Sequence, residues 1–347
     1  MDTLAPARQI AADTVPAPRA AAQLDYHRTV SRKLVHKSAV SEVFLTDSER
    51  VSSDRFLIAA QWPRDHAVFQ SGPGGLTDAM VIVETARQAS ILVFHEYYGV
   101  PLDVPFLVRS MEFRITDLDP LGGCAAGPQE VTLGTDIELP SGVRGLRMPV
   151  LTRTVVYADG ARPCATVSMH GEILDRRIYQ RLGRSRGRSA PPDHCPPPIA
   201  VRPAAVGRRR AADIVLAAGR PEGHGRWRLR IDQSHPTFFD HGSDHVQAVL
   251  MLEALKQCGL LAVADRAPLA GGVLSAMRVG FHAYGEFGSD IELDAREAEP
   301  PRAGADRAVA GLGAERLVNA QAVQDGQVIT DADLVFRADW RKAPEES

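Results

Sequence analysis

The sequence AMVIVETARQ (residues 79–88) recurs 169 positions later as AVLMLEALKQ (residues 248–257). The glutamate and the glutamine match, the apolar residues of the first copy are replaced only by apolar ones, and no gap is needed. A histidine also stands 18 residues before the glutamate of each copy. These pairs are His66 with Glu84 and His235 with Glu253. Two copies are too few for a solenoid, so the repeat predicts an internally duplicated pair of domains.

The repeated segment is apolar on nearly every side over about 20 residues, which is typical of a fully buried helix about 30 Å long. Thr77 or Asp78 is placed to cap the first helix, and Gly99 before Pro101 ends it. Strand-like runs surround both helices. They cover residues 41–45, 55–60, 106–115, 130–138 and 153–173 in the first half and residues 226–231, 273–283, 290–297 and 315–336 in the second. This order predicts an α+β fold, a tandem (double) hotdog in which an antiparallel sheet wraps each long central helix.

The last strand-like run of each half contains the dipeptide Asp-Gly, at Asp159-Gly160 and at Asp325-Gly326. Asp-Gly favours the two-residue turns that join antiparallel strands. We therefore expect each of these runs to fold as a hairpin.

The segments between the runs predict how the chain is divided. Residues 1–30 are rich in alanine and proline, so we expect a disordered N-terminal extension. Residues 176–210 hold ten arginines, six prolines and one acid, Asp193, which predicts an extended linker. A nucleic-acid surface or a docking site for an acidic carrier protein is the alternative for this segment, but a solvated tether is favoured. The first repeat then covers residues 31–175, the second covers residues 211–341, and residues 342–347 form a tail.

The composition excludes several classes of protein. The chain has 347 residues, 44% of them hydrophobic, and a net charge of −3, which gives no reason to expect nucleic acid or a membrane as a partner. No apolar run approaches the length of a membrane span or a signal core. The four cysteines are scattered without a C-x-x-C pair, so reduced thiols in a cytoplasmic protein are expected. His241 and His245 form a local cluster, but no recognised ligand spacing accompanies them, and no metal is expected.

Glu84 and Glu253 each lie in the middle of an apolar helix. An unpaired carboxylate costs several kcal/mol to bury, so each must be paired, protonated or facing a cavity. Arg87 and Lys256 follow three residues later, on the same helix face. Each pair is therefore either a structural ion pair or a general base, poised near neutral pH beside a cation and an acyl channel.

The two histidines and their neighbouring aromatic residues also allow two interpretations. His66 and His235 are either catalytic groups or loop histidines bonded to the backbone. Phe69 and Phe238 are expected in the core.

The chain resembles the A-factor biosynthesis (AfsA-like) hotdog family of actinomycetes. The motifs that carry this resemblance are LVHK (residues 34–37), EVFLTD (42–47), QWPRDH (61–66), ETARQA (84–89), FFDH (238–241) and DHV (244–246). The resemblance covers residues 34–175 and 210–340. The chain departs from the family where Gln247-Ala248 replaces a Pro-Gly pair and where Lys256 replaces an arginine.

The resemblance implies an acyltransferase that moves a β-ketoacyl group from acyl carrier protein to the hydroxyl of dihydroxyacetone phosphate, toward γ-butyrolactone signals. It needs no cofactor. Glu84, His66, His235 and Glu253 are then catalytic, with His66 facing Glu253 and His235 facing Glu84 across a pseudo-twofold axis. Arg87 and Lys256 bind substrate.

Backbone N–H groups near Gly74-Gly75 or Val246-Gln247 are expected to hold the oxyanion of this reaction. Two alternatives to acyl transfer stay open. One is a hotdog dehydratase or thioesterase that acts on acyl thioesters, and the other is a non-catalytic acyl-binding regulatory protein.

Overall fold

A computed structural model describes most of the chain. The described residues are 24–69, 75–125, 127–139, 147–158, 161–179, 196–223, 225–266, 272–298 and 315–337. The first repeat contains β1 (Leu45–Arg50), β2 (Arg55–Trp62), α1 (Ala79–Tyr98), β3 (Phe106–Ile115), β4 (Gln129–Glu138), β5 (Arg147–Ala158) and β6 (Arg162–Leu174). The second contains β7 (Leu216–Ala218), β8 (Trp227–Leu229), α2 (Ala248–Arg266), β9 (Val273–Phe281), β10 (Ile291–Glu297), β11 (Glu315–Gln324) and β12 (Gln327–Arg337).

All of these strands belong to one antiparallel sheet in the order β1-β2-β4-β5-β6-β3-β9-β12-β11-β10-β8-β7. The second half of this order repeats the first in reverse, as a pseudo-twofold axis between β3 and β9 requires. At this junction Ser110 pairs with Gly280 and Phe113 pairs with Met277. The tandem hotdog prediction is therefore confirmed.

Helix α1 begins and ends where the sequence predicts. The Asp78 carboxylate accepts a hydrogen bond from the Met80 N–H and caps the helix, and Gly99 ends it with a left-handed φ of 65°. Between Ala79 and His95 every residue is buried except Arg87. The packing of α1 and α2 against the sheet forms a hydrophobic core that runs through both repeats.

Most strand predictions hold with small shifts, but the run at residues 41–45 is wrong except for Leu45. Strand β1 begins at Leu45, because residues 40–42 form a 3-10 turn before it. Asp325 and Gly326 have φ angles of 50° and 77° and join β11 to β12 in a two-residue turn, as Asp-Gly predicts. Asp159-Gly160 lies outside the described residues. In the described part of the chain, no helix is both long and apolar enough to cross a membrane.

Two predicted boundaries lie inside folded structure. The Val30 N–H donates to the Leu45 carbonyl at 3.0 Å, so the first repeat begins before residue 31. Residues 203–206 form a 3-10 turn in which Val206 is buried, and Arg208 is only 3% exposed. The second repeat therefore begins before residue 210, and Val206 and Arg208 of the predicted linker belong to its core. Residues 1–23, 180–195 and 342–347 lie outside the described residues.

Candidate active site

A cavity of about 430 Å³ lies between the two repeats. Its polar wall combines side chains from both repeats: Lys37, Glu84 and Arg87 from the first, and Asp240, His241 and His245 from the second. Its apolar wall includes Ile91, Phe94, Phe106, Val150, Val249 and Phe281. This volume is within the usual range for small-molecule sites, and mostly apolar walls with a few convergent polar groups are typical of them.

Glu84 is fully paired at the edge of this cavity. Arg87 donates from Nε and Nη2 to its two carboxylate oxygens, each at 2.8 Å, and Lys37 Nζ lies 3.0 Å from Oε1. Gln88 Nε2 donates to the same Oε1 at 2.9 Å. Burial alone would raise the pKa of the Glu84 carboxyl, but the charges of Arg87 and Lys37 hold this pKa well below its ordinary value. The direction of this shift is opposite to that of a general base poised near neutral pH, so the Glu84 carboxyl is ionised at neutral pH.

Arg87 has capacity for a further partner. Two of its nitrogens, Nε and Nη2, are used by Glu84, and its side chain is 27% exposed while that of Glu84 is 3% exposed. A guanidinium carries five N–H donors in a planar fork, so the Nη1 donors are left for a ligand. The i, i+3 pairing predicted for Glu84 and Arg87 is confirmed.

A loop of the second repeat brings His241 to this cluster. The Asp240 carboxylate accepts hydrogen bonds from the Ser38 and Ala39 N–H groups at 2.6 and 2.9 Å, which fixes the loop directly beside Lys37. Burial lowers the pKa of His241, Asp240 opposes this, and the charges of Arg87 and Lys37 lower it further. His241 is therefore a neutral imidazole at pH 7 and able to accept a proton.

His36 forms another part of the wall. Its Nε2 lies 2.8 Å from His95 Nε2, and burial together with His95, Arg87 and His241 lowers its pKa to about 4.

The corresponding cluster of the second repeat is closed. Arg208 donates to both carboxylate oxygens of Glu253, from Nε at 2.7 Å and from Nη2, and its Nη1 donates to Asp78 at 2.8 Å. Lys256 Nζ donates to both oxygens of Asp78 at 2.7 Å. Burial would lower the pKa of Arg208, but Glu253 and Asp78 raise it well above its ordinary value. The side chains of Arg208 and Glu253 are 1% and 0% exposed, and none of these four residues lines the cavity.

Lys256 thus bonds to Asp78 of the first repeat, and the predicted pairing of Lys256 with Glu253 is wrong. The partner of Glu253 is Arg208, which sequence reasoning had placed in the linker.

One position explains why the two clusters differ. Asp78 caps α1 and draws both Lys256 and Arg208 toward itself. The equivalent residue before α2 is the uncharged Gln247, which cannot draw Arg87 away from Glu84 in the same way. The site of the first repeat is therefore open to the cavity, whereas the site of the second repeat is filled by its own ion pairs.

Each predicted histidine lies close to an acid of its own repeat. His66 Nε2 is 3.4 Å from Glu42 Oε1, and His235 Nε2 is 3.3 Å from Asp213 Oδ1. The predictions that His66 faces Glu253 and that His235 faces Glu84 are therefore wrong.

Both histidines also bond to the backbone. The Nδ1 atoms accept hydrogen bonds from the N–H groups of the residues two and three positions later, which places the ring proton on Nε2. Both side chains are buried and neither lines the cavity. They hold the loops that precede the helices, whereas His36 and His241 line the cavity together with Glu84.

The first turn of α2 faces the same cavity. Gln247, Ala248 and Val249 line it, and the N–H groups that open a helix have no acceptor within the helix. The Val246 N–H is occupied, since it donates to the Gly285 carbonyl at 2.8 Å. Of the two backbone segments expected to hold an oxyanion, the one at α2 adjoins the site. Gly74 lies outside the described residues.

The remaining predictions concern packing and metals. Phe69 and Phe238 are buried in the core, as expected, and so is Cys258. Within the described residues no three or more histidine, cysteine, aspartate or glutamate side chains form a group that could hold a metal ion. His241 and His245 therefore belong to no such group.

Comparison with known proteins identifies relatives over both repeats. The family model described as the A-factor biosynthesis hotdog domain matches residues 19–175 and 189–338. The chain is 33% identical to the 2-oxo-3-(phosphooxy)propyl 3-oxoalkanoate synthase of Streptomyces virginiae, over 75% of this chain and 84% of the relative. It is 34% identical to the protein of the same name in Streptomyces coelicolor, over 79% of this chain and 84% of the relative.

Solved structures are more distant. The 12:0-ACP thioesterase from Umbellularia californica is 10% identical with a TM-score of 0.46, covering 82% of this chain and 94% of the other. An acyl-ACP thioesterase from Bacteroides thetaiotaomicron is 12% identical with a TM-score of 0.43, covering 81% of this chain and 98% of the other.

The two clusters predict different effects of the same substitution. Glu253→Gln leaves Arg208 and Lys256 buried with Asp78 as the one carboxylate that the described residues give them, and breaking such a buried pair costs about 3–5 kcal/mol. Glu84→Gln should lower the free energy of unfolding by clearly less. Arg87 is partly exposed at the cavity, and Lys37 Nζ still has the Glu42 carboxylate at 4.0 Å. Urea unfolding of the two variants measures this difference in free energy of unfolding. Equal losses would contradict the assignment of an open and a closed site.

Proposed function

This chain belongs to the A-factor biosynthesis hotdog family, and we propose that it is an acyltransferase of the 2-oxo-3-(phosphooxy)propyl 3-oxoalkanoate synthase type. The reaction moves a β-ketoacyl group from a carrier-protein thioester to the hydroxyl of dihydroxyacetone phosphate. The name of the relatives describes the resulting ester, in which a phosphorylated hydroxyketone carries a 3-oxoalkanoate. This ester is a precursor of γ-butyrolactone-type signals.

One observation supports this function best. A single cavity joins an apolar wall suited to an acyl chain with a cluster of Lys37, Arg87 and the neutral His241. Acyl transfer to a phosphorylated alcohol needs these three features together: space for the chain, cations for the phosphate and a base for the hydroxyl.

His241 is the base in the proposed reaction. It takes the proton of the acceptor hydroxyl while the hydroxyl oxygen attacks the thioester carbonyl carbon. The carbon–sulfur bond then breaks, and the proton passes from His241 to the leaving sulfur, which restores the neutral imidazole. A positioned base of this kind contributes about 10²–10⁴-fold to a rate. The first N–H groups of α2 stabilise the negative charge on the carbonyl oxygen during this step.

Glu84 is a positioning residue in this mechanism. Its carboxylate is saturated by Arg87, Lys37 and Gln88 and cannot serve as a base at neutral pH. It holds the guanidinium of Arg87 at the cavity wall, so that the remaining donors of Arg87 and the ammonium of Lys37 bind the acceptor's phosphate. No acyl-enzyme is required.

The described cysteines agree with direct transfer. Burial raises the pKa of the Cys258 thiol well above its ordinary value, so Cys258 is a poor nucleophile. Cys258 is a free, buried thiol, and this supports the further proposal that the protein acts in the reducing cytoplasm.

Product analysis tests the reaction. With a β-ketoacyl carrier-protein thioester and dihydroxyacetone phosphate, we expect mass spectrometry to detect the phosphorylated ester and the free thiol, and no consumption of the thioester without the acceptor. Free 3-oxo acid formed regardless of acceptor would indicate a thioesterase instead. Hydration or dehydration of the acyl chain would indicate a dehydratase, and binding without turnover a regulatory protein.

Arg87→Lys tests the phosphate site, because it keeps the charge but removes the planar fork. We expect the KM for dihydroxyacetone phosphate to rise about tenfold or more, as for a lost charged hydrogen bond, while the KM for the thioester stays unchanged. The matched control is Lys256→Arg in the closed cluster, which should leave both KM values unchanged. An equal rise in both KM values for Arg87→Lys would count against a phosphate role.

The pH dependence tests the base. Because the pKa of His241 lies below its ordinary 6.5, the imidazole is unprotonated at neutral pH, and kcat/KM falls only when the pH drops through that lowered value. His241→Gln should lower kcat/KM by about 10²–10⁴-fold and remove this acid limb. His27→Gln, at an exposed position, serves as the control and should keep both the original kcat/KM and the acid limb. A limb near pH 4 that survives His241→Gln but is lost in His36→Gln would assign the base to His36 and contradict the proposal.

A further inference from the structure

We propose that Arg109, Arg147 and Glu172 form a second phosphate-binding subsite at the cavity, which takes the phosphodiester of the thioester donor's pantetheine arm. This inference rests on the acyl transfer proposed above. The three residues come from strands β3, β5 and β6, and all three line the cavity. They are separate from the Lys37 and Arg87 cluster that holds the acceptor's phosphate.

The backbone of β3 is irregular where it carries Arg109. The register of the pairing between β3 and β6 shifts between Val108 and Ser110, so Arg109 is the extra residue of a β-bulge. A bulge redirects one side chain and is frequent beside active sites. The strands also approach closely here, since a Cβ on Gly171 would lie 2.5 Å from the Leu107 carbonyl oxygen. The local sequence therefore permits a distortion that directs Arg109 to the cavity.

The charge of this group favours an anion. Arg109 Nη2 and Arg147 Nη2 lie 3.3 and 3.1 Å from the same oxygen of Glu172, Oε2. Two guanidinium groups on one carboxylate leave a positive charge that is not balanced within the group. The two arginine side chains are 34% and 48% exposed, so they remain accessible to a ligand. Paired guanidinium groups match the geometry of phosphate oxygens better than lysines do.

The position of this group fits the donor better than the acceptor. Arg109, His170 and His282 line both the cavity and a separate groove of about 920 Å³ on strands of both repeats. Arg109 thus links the subsite to a second space, while Lys37 and Glu84, whose side chains are 6% and 3% exposed, line the cavity but not the groove. A carrier-bound thioester enters from solvent with its reactive carbonyl leading and its phosphodiester at the far end of the arm. Arg109, which reaches the groove, and Arg147, which shares Glu172 with it, are placed for that phosphodiester.

Direct binding tests the subsite without turnover. We would measure 4′-phosphopantetheine, pantetheine and dihydroxyacetone phosphate by calorimetry against the full chain and the double variant Arg109→Gln/Arg147→Gln. We expect the double variant to lose about tenfold or more in affinity for 4′-phosphopantetheine and to bind the other two as before. The control is Arg162→Gln, which removes a guanidinium that is 49% exposed and pairs with Asp117 and Asp119 away from the cavity.

Other outcomes separate this inference from the proposed function. If the double variant loses affinity for dihydroxyacetone phosphate and keeps it for 4′-phosphopantetheine, the subsite belongs to the acceptor and our assignment is overturned. If full-chain protein binds pantetheine and 4′-phosphopantetheine equally while still forming the ester, the inference fails and the proposed function stands. If the phosphate preference is present but no ester forms, the subsite stands and the acyl transfer fails. Should the double variant unfold, Arg147→Gln alone, at the more exposed position, gives the same contrast.

Discussion

A carboxylate buried in the middle of an apolar helix is the constraint on which the rest of this structure depends. Two of its partners are of the same kind in both repeats. A cation from the segment before the first strand pairs with the glutamate, Lys37 in the first repeat and Arg208 in the second. Each cation directly follows a residue with a left-handed φ, His36 at 52° or Gly207 at 66°. A glutamine one turn later on the helix bonds both to the glutamate and to the backbone of that segment. The ion pair therefore joins the helix to the chain that begins each sheet, and since an unpaired buried charge costs several kcal/mol, the segment cannot leave without destabilising the core.

The duplication copies this arrangement, and one substitution distinguishes the two copies. Where α1 has the acidic cap Asp78, α2 has Gln247. In the second repeat the carboxylate of Asp78 completes a closed set of two anions and two cations between the repeats, and this set is structural. In the first repeat the arginine remains beside its glutamate at a cavity wall. The glutamate and the cation three residues later therefore have different surroundings in the two copies. In the first repeat they pair with each other at the cavity, and in the second they belong to one closed cluster without pairing directly.

The fold could be predicted from the sequence because its signals are local and repeated. A constant offset of 169 identifies the helices, the apolar stretch predicts their burial, and Asp78, Gly99 and Asp325-Gly326 mark ends and turns correctly. The site could be predicted only in part. Arg208 corresponds to Lys37 at an offset of 171, not 169, so a search without gaps misses it, and its place among many arginines made it look like part of a tether. An alignment that allows two extra residues would match Val35, Lys37 and Glu42 with Val206, Arg208 and Asp213. Which acid each histidine meets depends on tertiary contacts between loops and helices, and spacing along the chain carries no information about that.

The positions of the cations also bear on how the proposed base would work. Burial, Arg87 and Lys37 lower the pKa of His241, and burial, His95 and Arg87 lower that of His36, so both imidazoles are neutral at pH 7. An acceptor phosphate bound by the same cations brings negative charge to the cluster and offsets their field. The pKa of a nearby imidazole then rises, and a stronger base forms only when the acceptor is in place. Glu84 supports this coupling without taking part in proton transfer. Its negative charge holds Arg87 and Lys37 together in a largely buried wall. The closed cluster of the second repeat, with its anions already supplied by Glu253 and Asp78, offers no such response to a ligand.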